Sequence, residues 1–187
     1  MRRWGLSVMG VLVVAGAAAS MAVASSASTP NVVKALETDK VVINRYYGLG
    51  FHYSPGTLHV KSGSEITFEF GDKEQEVHTL TIAPKAELPR TVAQVSNCTV
   101  CKLALAHLKN PAQAQSGAPP IIASWILHAG KPAANGDAGL STTGDSIAIQ
   151  SGGPHASITI RVTAKPGTTL HFFCAVHPWM QGKIVVN

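Results

Sequence analysis

The chain has 187 residues, with 15 Lys and Arg against 10 Asp and Glu, giving a formal net charge of +5. Its 45% hydrophobic and 13% charged composition excludes a disordered tail, and its length limits it to about one domain. Beyond the first residues there is no basic run and no basic stretch interleaved with aromatic residues. A nucleic-acid partner is therefore not expected.

The first 24 residues carry the three parts of a secretory signal: Arg2 and Arg3, an apolar middle, and small residues ending at Ala24. We predict a signal peptide at 1–24, export to the periplasm or another extracytoplasmic space, and an N-terminal extension at 25–39. A twin-arginine signal and an uncleaved anchor are alternatives, since residues 4–24 are uncharged and could span a bilayer of about 30 Å. Cleavage would leave 13 basic against 10 acidic residues.

Alternating apolar and polar residues predict short strands in several parts of the chain. The clearest segments are Glu65–Phe70, Ser157–Thr163, Leu170–Cys174 and Lys183–Val186. In Glu76–Ile82, the same alternation places His78 on one face with Leu80 and Ile82. Short strands separated by Gly and Pro, without long intervening helices, predict an all-β antiparallel sandwich. We assign this domain to residues 40–187.

Residues 83–154 are predicted to be an insertion in that sandwich. Leu88–Asn110 is predicted to be helical, because Cys98, Cys101, Leu105 and Leu108 are spaced to share one face. Pro111–Pro154 is rich in Gly, Pro, Ala and Ser and is predicted to be mostly loop. One part of it is expected to dock on the sandwich through its apolar residues, which are Ile121, Ile122, Trp125, Ile126 and Leu127. Since the insertion follows the His78 strand, it is expected to cover or flank that end.

The three cysteines suggest two different roles. In an oxidising compartment thiols tend to pair, so Cys98 and Cys101 are predicted to form a local disulfide. Cys174 is then left for another task, such as metal binding. A haem attachment site would need His after the second cysteine, where Lys102 stands. A dithiol redox site, or a second copper site with His107, remain alternatives for the Cys-x-x-Cys pair.

Near the carboxyl end, Cys174, His177 and Met180 recur at steps of three. A tight loop with this spacing can direct a thiolate, an imidazole and a thioether at one point. Donors of this softness suit copper, and two His and one Cys with a distant Met form the blue-copper arrangement. The second histidine is predicted to be His78, since His78 and Cys174 both lie on apolar strand faces. The rival ligands are His52, His59 and His155.

The Cys-x-x-His-x-x-Met loop resembles that of the cupredoxins, the type 1 blue copper proteins, and is similar to its plastocyanin-like and amicyanin-like forms. Phe51–Phe68 resembles the early strands of the same family, and the resemblance covers roughly 40–82 and 155–187. It implies a Greek-key β-sandwich, here with a partly helical insertion, and one copper ion. His78, Cys174 and His177 would be its equatorial ligands and Met180 the axial one.

The resemblance also implies function. We expect an exported, monomeric one-electron carrier that cycles Cu(II) and Cu(I) between transient redox partners, such as a cytochrome or a dehydrogenase. His177 would reach solvent through an apolar patch containing Pro178 and Trp179. Membrane contact is expected only if the N-terminal segment stays uncleaved.

Other function classes fit the residues less well. Multicopper oxidases and copper nitrite reductases place histidines beside the cysteine, whereas Phe173 and Ala175 flank Cys174. We therefore do not expect an enzyme. A copper chaperone or storage protein remains an alternative, although the chain has only 4 Met. The second alternative is an electron-transfer subunit of a larger oxidoreductase complex.

Overall fold

The computed structural model describes residues 31–71, 76–108, 124–152 and 154–187. Its strands are β1 (Val32–Leu36), β2 (Asp39–Val42), β3 (Tyr46–Leu49), β4 (His52–Ser54), β5 (Thr57–Val60), β6 (Glu65–Phe70), β7 (His78–Ile82), β8 (Ile126–His128), β9 (Lys131–Pro132), β10 (Gly139–Leu140), β11 (Ser146–Ile149), β12 (Ser157–Val162), β13 (Thr169–Phe173) and β14 (Gln181–Val186). Two helices, α1 (Val92–Ser96) and α2 (Thr99–Leu108), and two 3-10 turns, Lys85–Glu87 and Asn135–Asp137, complete the described elements.

The strands form two main sheets. One has the order β10-β12-β6-β1-β4 and the other β5-β14-β13-β7-β11-β8-β9, while β2 and β3 form a separate hairpin. Consecutive strands change sheets repeatedly, for example at β6–β7 and β12–β13, so the chain crosses between the two sheets several times. The inner faces close over one core that includes Phe68, Leu80 and Phe172. The predicted all-β sandwich with a partly helical insertion is confirmed.

Alternation explains the strands of the smaller sheet. β6 and β12 run antiparallel with Ile66 opposite Ile160 and Phe68 opposite Ile158, and all four side chains are buried. Between them, Thr67 and Thr159 pair on the outer face through their hydroxyls at 2.8 Å. The apolar residues therefore point into the sandwich and the polar ones away from it, as the period of two predicts.

β7 differs because it is buried on both faces. It lies between β13 and β11, and all five of its residues are buried. Its outward hydroxyls are satisfied inside the protein: Thr79 Oγ1 lies 3.0 Å from Thr81 Oγ1, which lies 2.7 Å from Ser146 Oγ. A covered outer face means that this strand, which begins at His78, is held away from water along its whole length.

The smaller sheet begins before residue 40. β1 pairs with β4 and β6, and its Val33 and Ala35 are fully buried. The strand therefore lies within 25–39, the segment that the sequence analysis set outside the domain. Its five residues give too short an alternation to stand out from a linker. The predicted signal peptide at 1–24 lies outside the described residues.

Segment 83–154 contributes to the larger sheet. Its helical part is two helices rather than one, and Thr91 begins α1 by accepting a hydrogen bond from the Gln94 amide. Its second half contains the short strands β8 to β11 separated by turns and loops, with β11 between β7 and β8. Ile126 and Leu127 are buried in β8, as the docking prediction requires, whereas Ile121 and Ile122 lie outside the described residues.

One buried carboxylate organises the turns around β8 to β11. Asp145 is fully buried and accepts hydrogen bonds from the amides of Ala129, Ser141 and Thr142 at 2.7–2.8 Å. The Nδ1 atom of His128 lies 2.9 Å from the same carboxylate.

Among the described residues, no helix has the length and apolar character needed to cross a membrane.

Candidate metal centre

The four predicted ligands lie at one end of the larger sheet. His78 is the first residue of β7, and Cys174 directly follows β13. β7 and β13 pair antiparallel, with Phe173 opposite Thr81, so the chain that follows Phe173 runs towards the start of β7. The loop from β13 to β14 then carries His177 and Met180 back to the same end.

Three donor atoms meet inside the protein. Cys174 Sγ lies 3.7 Å from His78 Nδ1 and 3.8 Å from His177 Nδ1, and the two nitrogens are 3.3 Å apart. His78 and Cys174 are 0% exposed and His177 is 6% exposed. An ion bound at about 2.0 Å by imidazole and about 2.3 Å by thiolate separates such donors by roughly 3–4 Å. The triangle therefore has the dimensions of one metal-ion site.

Met180 lies at the end of the loop that carries Cys174 and His177. It is 1% exposed and belongs to the same buried cluster as Cys174. The Cys174 amide donates to the Met180 carbonyl at 2.9 Å, and the Met180 amide donates to the His177 carbonyl at 2.8 Å. These bonds close the loop on itself, so its three potential ligands share one rigid backbone unit.

The sulfur of Cys174 lies in a dry, hydrogen-bonded pocket. The Thr79 amide donates to Cys174 Sγ at 3.4 Å, and the Tyr53 hydroxyl donates to the Thr79 carbonyl. Burial raises the pKa of the Cys174 thiol, and backbone hydrogen bonds from Thr79, His177 and Val176 oppose that shift. Burial, together with the nearby Cys174, also raises the pKa of Tyr53 well above its usual value. A metal cation would therefore have to supply the stabilisation that a Cys174 thiolate needs.

His177 is enclosed rather than open to solvent. Its ring centroid lies 4.2 Å from that of Phe51 and 5.4 Å from that of Trp179. Its Nε2 atom lies 3.1 Å from Oε2 of Glu76, whose side chain is 54% exposed. Trp179 is 48% exposed, as expected for a surface patch, but Glu76 stands between the imidazole edge and water. Glu76 and Phe51 were not predicted as part of the site.

The rival histidines lie elsewhere. His52 is exposed, with its Nδ1 atom 3.1 Å from the Gly50 carbonyl oxygen. His59 is exposed on β5, and the His155 ring stacks on Trp125 at 4.1 Å. None of these three belongs to the described donor cluster, which contains His78 as the second histidine.

The back of the loop rests on the disulfide-bearing helix. Cys98 and Cys101 form a disulfide and pack in one cluster with Ala104, Phe173 and Ala175. The two residues that flank Cys174 thus face the helix while Cys174 faces the sandwich core. No local sequence signal indicates this contact, because the two cysteine-bearing segments are far apart in the chain.

A side-chain amide joins the same segment to the metal loop. Gln181 Nε2 donates to the carbonyls of Pro89 and Pro178, at 2.7 and 2.9 Å. Pro89 precedes α1, and Pro178 lies between His177 and Trp179. Segment 83–154 therefore flanks the end that holds the donor cluster, as the sequence predicted.

No protein-family model matches the sequence, and no curated protein matches it either. Among solved structures, the chain is similar to dithionite-reduced auracyanin from Roseiflexus castenholzii, with 20% identity, 73% of this chain and 87% of that chain covered, and a TM-score of 0.36. It is also similar to a purple cupredoxin from Nitrosopumilus maritimus, with 12% identity, coverage of 83% and 98%, and a TM-score of 0.40. Oxidised plastocyanin from Dryopteris crassirhizoma shows 13% identity, coverage of 74% and 91%, and a TM-score of 0.35. The family that the sequence motifs resemble is represented among these structures.

Proposed function

We propose that this chain is an exported type 1 copper protein that carries single electrons between redox partners. His78, Cys174, His177 and Met180 would hold the ion. The observation that carries the proposal is the triangle of one sulfur and two nitrogens, buried and 3.3–3.8 Å apart. It is built from a strand start and a loop almost 100 residues further along the chain.

The donor set favours a soft ion such as copper over the hard ions Mg²⁺ and Ca²⁺. Mg²⁺ and Ca²⁺ prefer oxygen donors, but the described cluster offers a thiolate and two imidazoles. The thioether of Met180, which is in the same buried cluster as Cys174, is a soft donor that suits copper, and the combination is the one found in electron-transfer copper sites. When bound, copper would supply a one-electron couple between Cu(II) and Cu(I).

The role of the protein fold is to keep the proposed copper ligands in a fixed arrangement. The loop from Cys174 to Met180 is closed by its own backbone hydrogen bonds, and β7 is covered on both faces. A frame of this kind keeps the donors in one arrangement when the charge of the site changes, so little has to move during transfer. Phe51, Phe172 and Met180 are buried around the site and keep water away.

Partners would dock briefly at the end of the molecule that carries Trp179, which is exposed beside the enclosed His177 ring. A small contact suits a carrier that must also leave, and weak redox encounters bury less than about 1,200 Å². Export is proposed from the signal-like residues 1–24, and the protein would act as a monomeric carrier rather than as an enzyme.

Ligand variants and electrochemistry test the proposal. The copper-loaded protein should show a strong blue absorption band and a reversible one-electron potential. His78→Ala should abolish the band, whereas the control His52→Ala, at an exposed histidine, should keep it. A retained band in His78→Ala would contradict the ligand assignment. Tight copper binding without a reversible potential would favour the chaperone or storage alternative.

A further inference from the structure

The outer edge of the His177 ring meets a carboxylate. Oε2 of Glu76 lies 3.1 Å from Nε2 of His177. The Glu76 side chain is 54% exposed, whereas the His177 side chain is 8% exposed. An imidazole that is itself buried therefore contacts a charged group at the protein surface.

The contact selects one form of the imidazole. An ionised carboxylate can only accept hydrogen bonds, so His177 must carry its proton on Nε2 to donate to Glu76. In the neutral ring, this leaves the lone pair of Nδ1 free of a proton. That nitrogen is the one that faces Cys174 Sγ at 3.8 Å and His78 Nδ1 at 3.3 Å. The hydrogen bond thus presents the correct atom to the donor cluster.

We propose that Glu76 is a positioning residue of the copper site, which fixes the tautomer and orientation of His177 and places a negative charge at its outer edge. The inference rests on the proposed copper function of His177. Carboxylates that accept from the second nitrogen of a metal-binding histidine orient the ring and raise its basicity. Glu76 also lies two residues before His78, so one short segment contains both a proposed ligand and the carboxylate that contacts the other histidine.

The negative charge has a second consequence. It favours the more positive state of the site, and its removal should weaken Cu(II) binding relative to Cu(I) binding. Because Glu76 is half exposed, solvent screens part of this effect. When the charge is removed, we expect the ratio of the Cu(II) to the Cu(I) binding constant to fall by between a few-fold and about tenfold. A tenfold fall in this ratio corresponds to an upward shift in reduction potential of about 59 mV.

Three variants separate geometry from charge. Glu76→Gln keeps an acceptor oxygen but loses the charge, and Glu76→Ala loses both. Glu65→Gln is the control, since the side chain of Glu65 is similarly exposed. Glu65 begins β6, whereas Phe70 at the other end of that strand lies close to the site, with its ring 6.0 Å from that of His78. Glu76 is on the surface, so its variants are expected to fold.

The first readout is the tautomer of His177 in the metal-free protein, measured by nitrogen NMR. The wild type and Glu65→Gln should show one tautomer with the proton on Nε2, whereas Glu76→Ala should show a mixture. The second readout is Zn²⁺ affinity, which should fall about 10-fold to 100-fold in Glu76→Ala. The third is the reduction potential of the copper-loaded protein, which should rise in Glu76→Gln but not in Glu65→Gln.

The outcomes are distinguishable. A Glu76→Ala protein with the wild-type tautomer, Zn²⁺ affinity and potential would overturn the role of Glu76 while leaving the copper function intact. A wild-type protein that binds no copper would contradict the copper function. Even then, the tautomer of the metal-free protein would decide whether Glu76 orients His177.

Discussion

The amide of Ala175 donates to the hydroxyl of Thr79 at 2.8 Å, although the two residues are 96 positions apart in the chain. Thr79 follows His78 and Ala175 follows Cys174, so this bond links the residues next to two proposed ligands. The Thr79 amide also donates to the Cys174 sulfur. Strand β7 and the metal loop are thus joined twice, and their relative position is set by the protein itself.

Thr79→Val should therefore destabilise the protein. Valine has a similar shape but cannot accept the hydrogen bond, so the buried Ala175 amide would lose its partner, at a cost of about 1–3 kcal/mol. Thr79→Ser keeps the hydroxyl and should cost less. Denaturant unfolding of the metal-free variants measures the difference. Equal stabilities for Val and Ser would show that the hydroxyl does not hold the loop.

The buried thiol makes the stability of the metal-free protein depend on pH. Burial raises the pKa of Cys174 above its ordinary value of 9.0, so the unfolded chain loses this proton at a lower pH than the folded protein. The thiol's contribution is fully present below pH 9.0 and should fall as pH rises above it, by up to about 1.4 kcal/mol per pH unit. Unfolding free energies of the wild type and Cys174→Ala, measured from neutral to alkaline pH, test this. If the unfolding free energies of the two proteins changed with pH in the same way, the predicted contribution of Cys174 would be contradicted.

The disulfide should stabilise the fold without belonging to the metal centre. Cys98 and Cys101 enclose a short loop, for which chain entropy gives a contribution of about 2 kcal/mol. Replacing both by Ser should lower the unfolding free energy by at least about 2 kcal/mol, because the packing of the pair against Phe173 and Ala175 is weakened as well. The blue band should persist in this variant. Complete loss of the band in a variant that is still folded would contradict a purely structural role of the disulfide.

Trp179→Ala should slow electron exchange while leaving the absorption band intact. Trp179 is 48% exposed and its ring lies 5.4 Å from that of His177, so it belongs to the surface that a partner would contact. Electron self-exchange between oxidised and reduced protein measures the effect without a known partner. Leu103→Ala is a suitable control, since Leu103 is exposed on α2. Equal rates in both variants would argue against docking at Trp179.

Much of the fold is predictable because half-buried strands leave an alternating pattern. β6 and β12 follow it: Ile66, Phe68, Ile158, Ile160 and Val162 are buried, and Phe70 at the end of β6 is half-buried. β11 does not, because Ser146–Ile149 is buried at all four positions and therefore lacks a polar face. Its neighbours are rich in turn residues, so the sequence indicates loop where the structure has a central strand.

The candidate site likewise contains residues that the sequence predicts and residues that it does not. Cys174, His177 and Met180 are close in sequence, so their spacing alone indicates a shared loop. For His78 the sequence required a choice among several histidines, and the strand face pointed to the one that lies in the described donor cluster. Glu76 lies 101 positions from His177, and a polar residue at a strand edge gives no sign of its partner. Contacts of this kind depend on the tertiary structure.

The central claim is that Cys174 binds copper as a thiolate beside two imidazoles. The most direct measurement is the absorption spectrum, with one equivalent of Cu(II), of the wild-type protein and of Cys174→Ser. We predict an intense blue band in the wild type that is absent from Cys174→Ser. A colourless copper-treated wild type, or a blue band that persists in Cys174→Ser, would contradict the account.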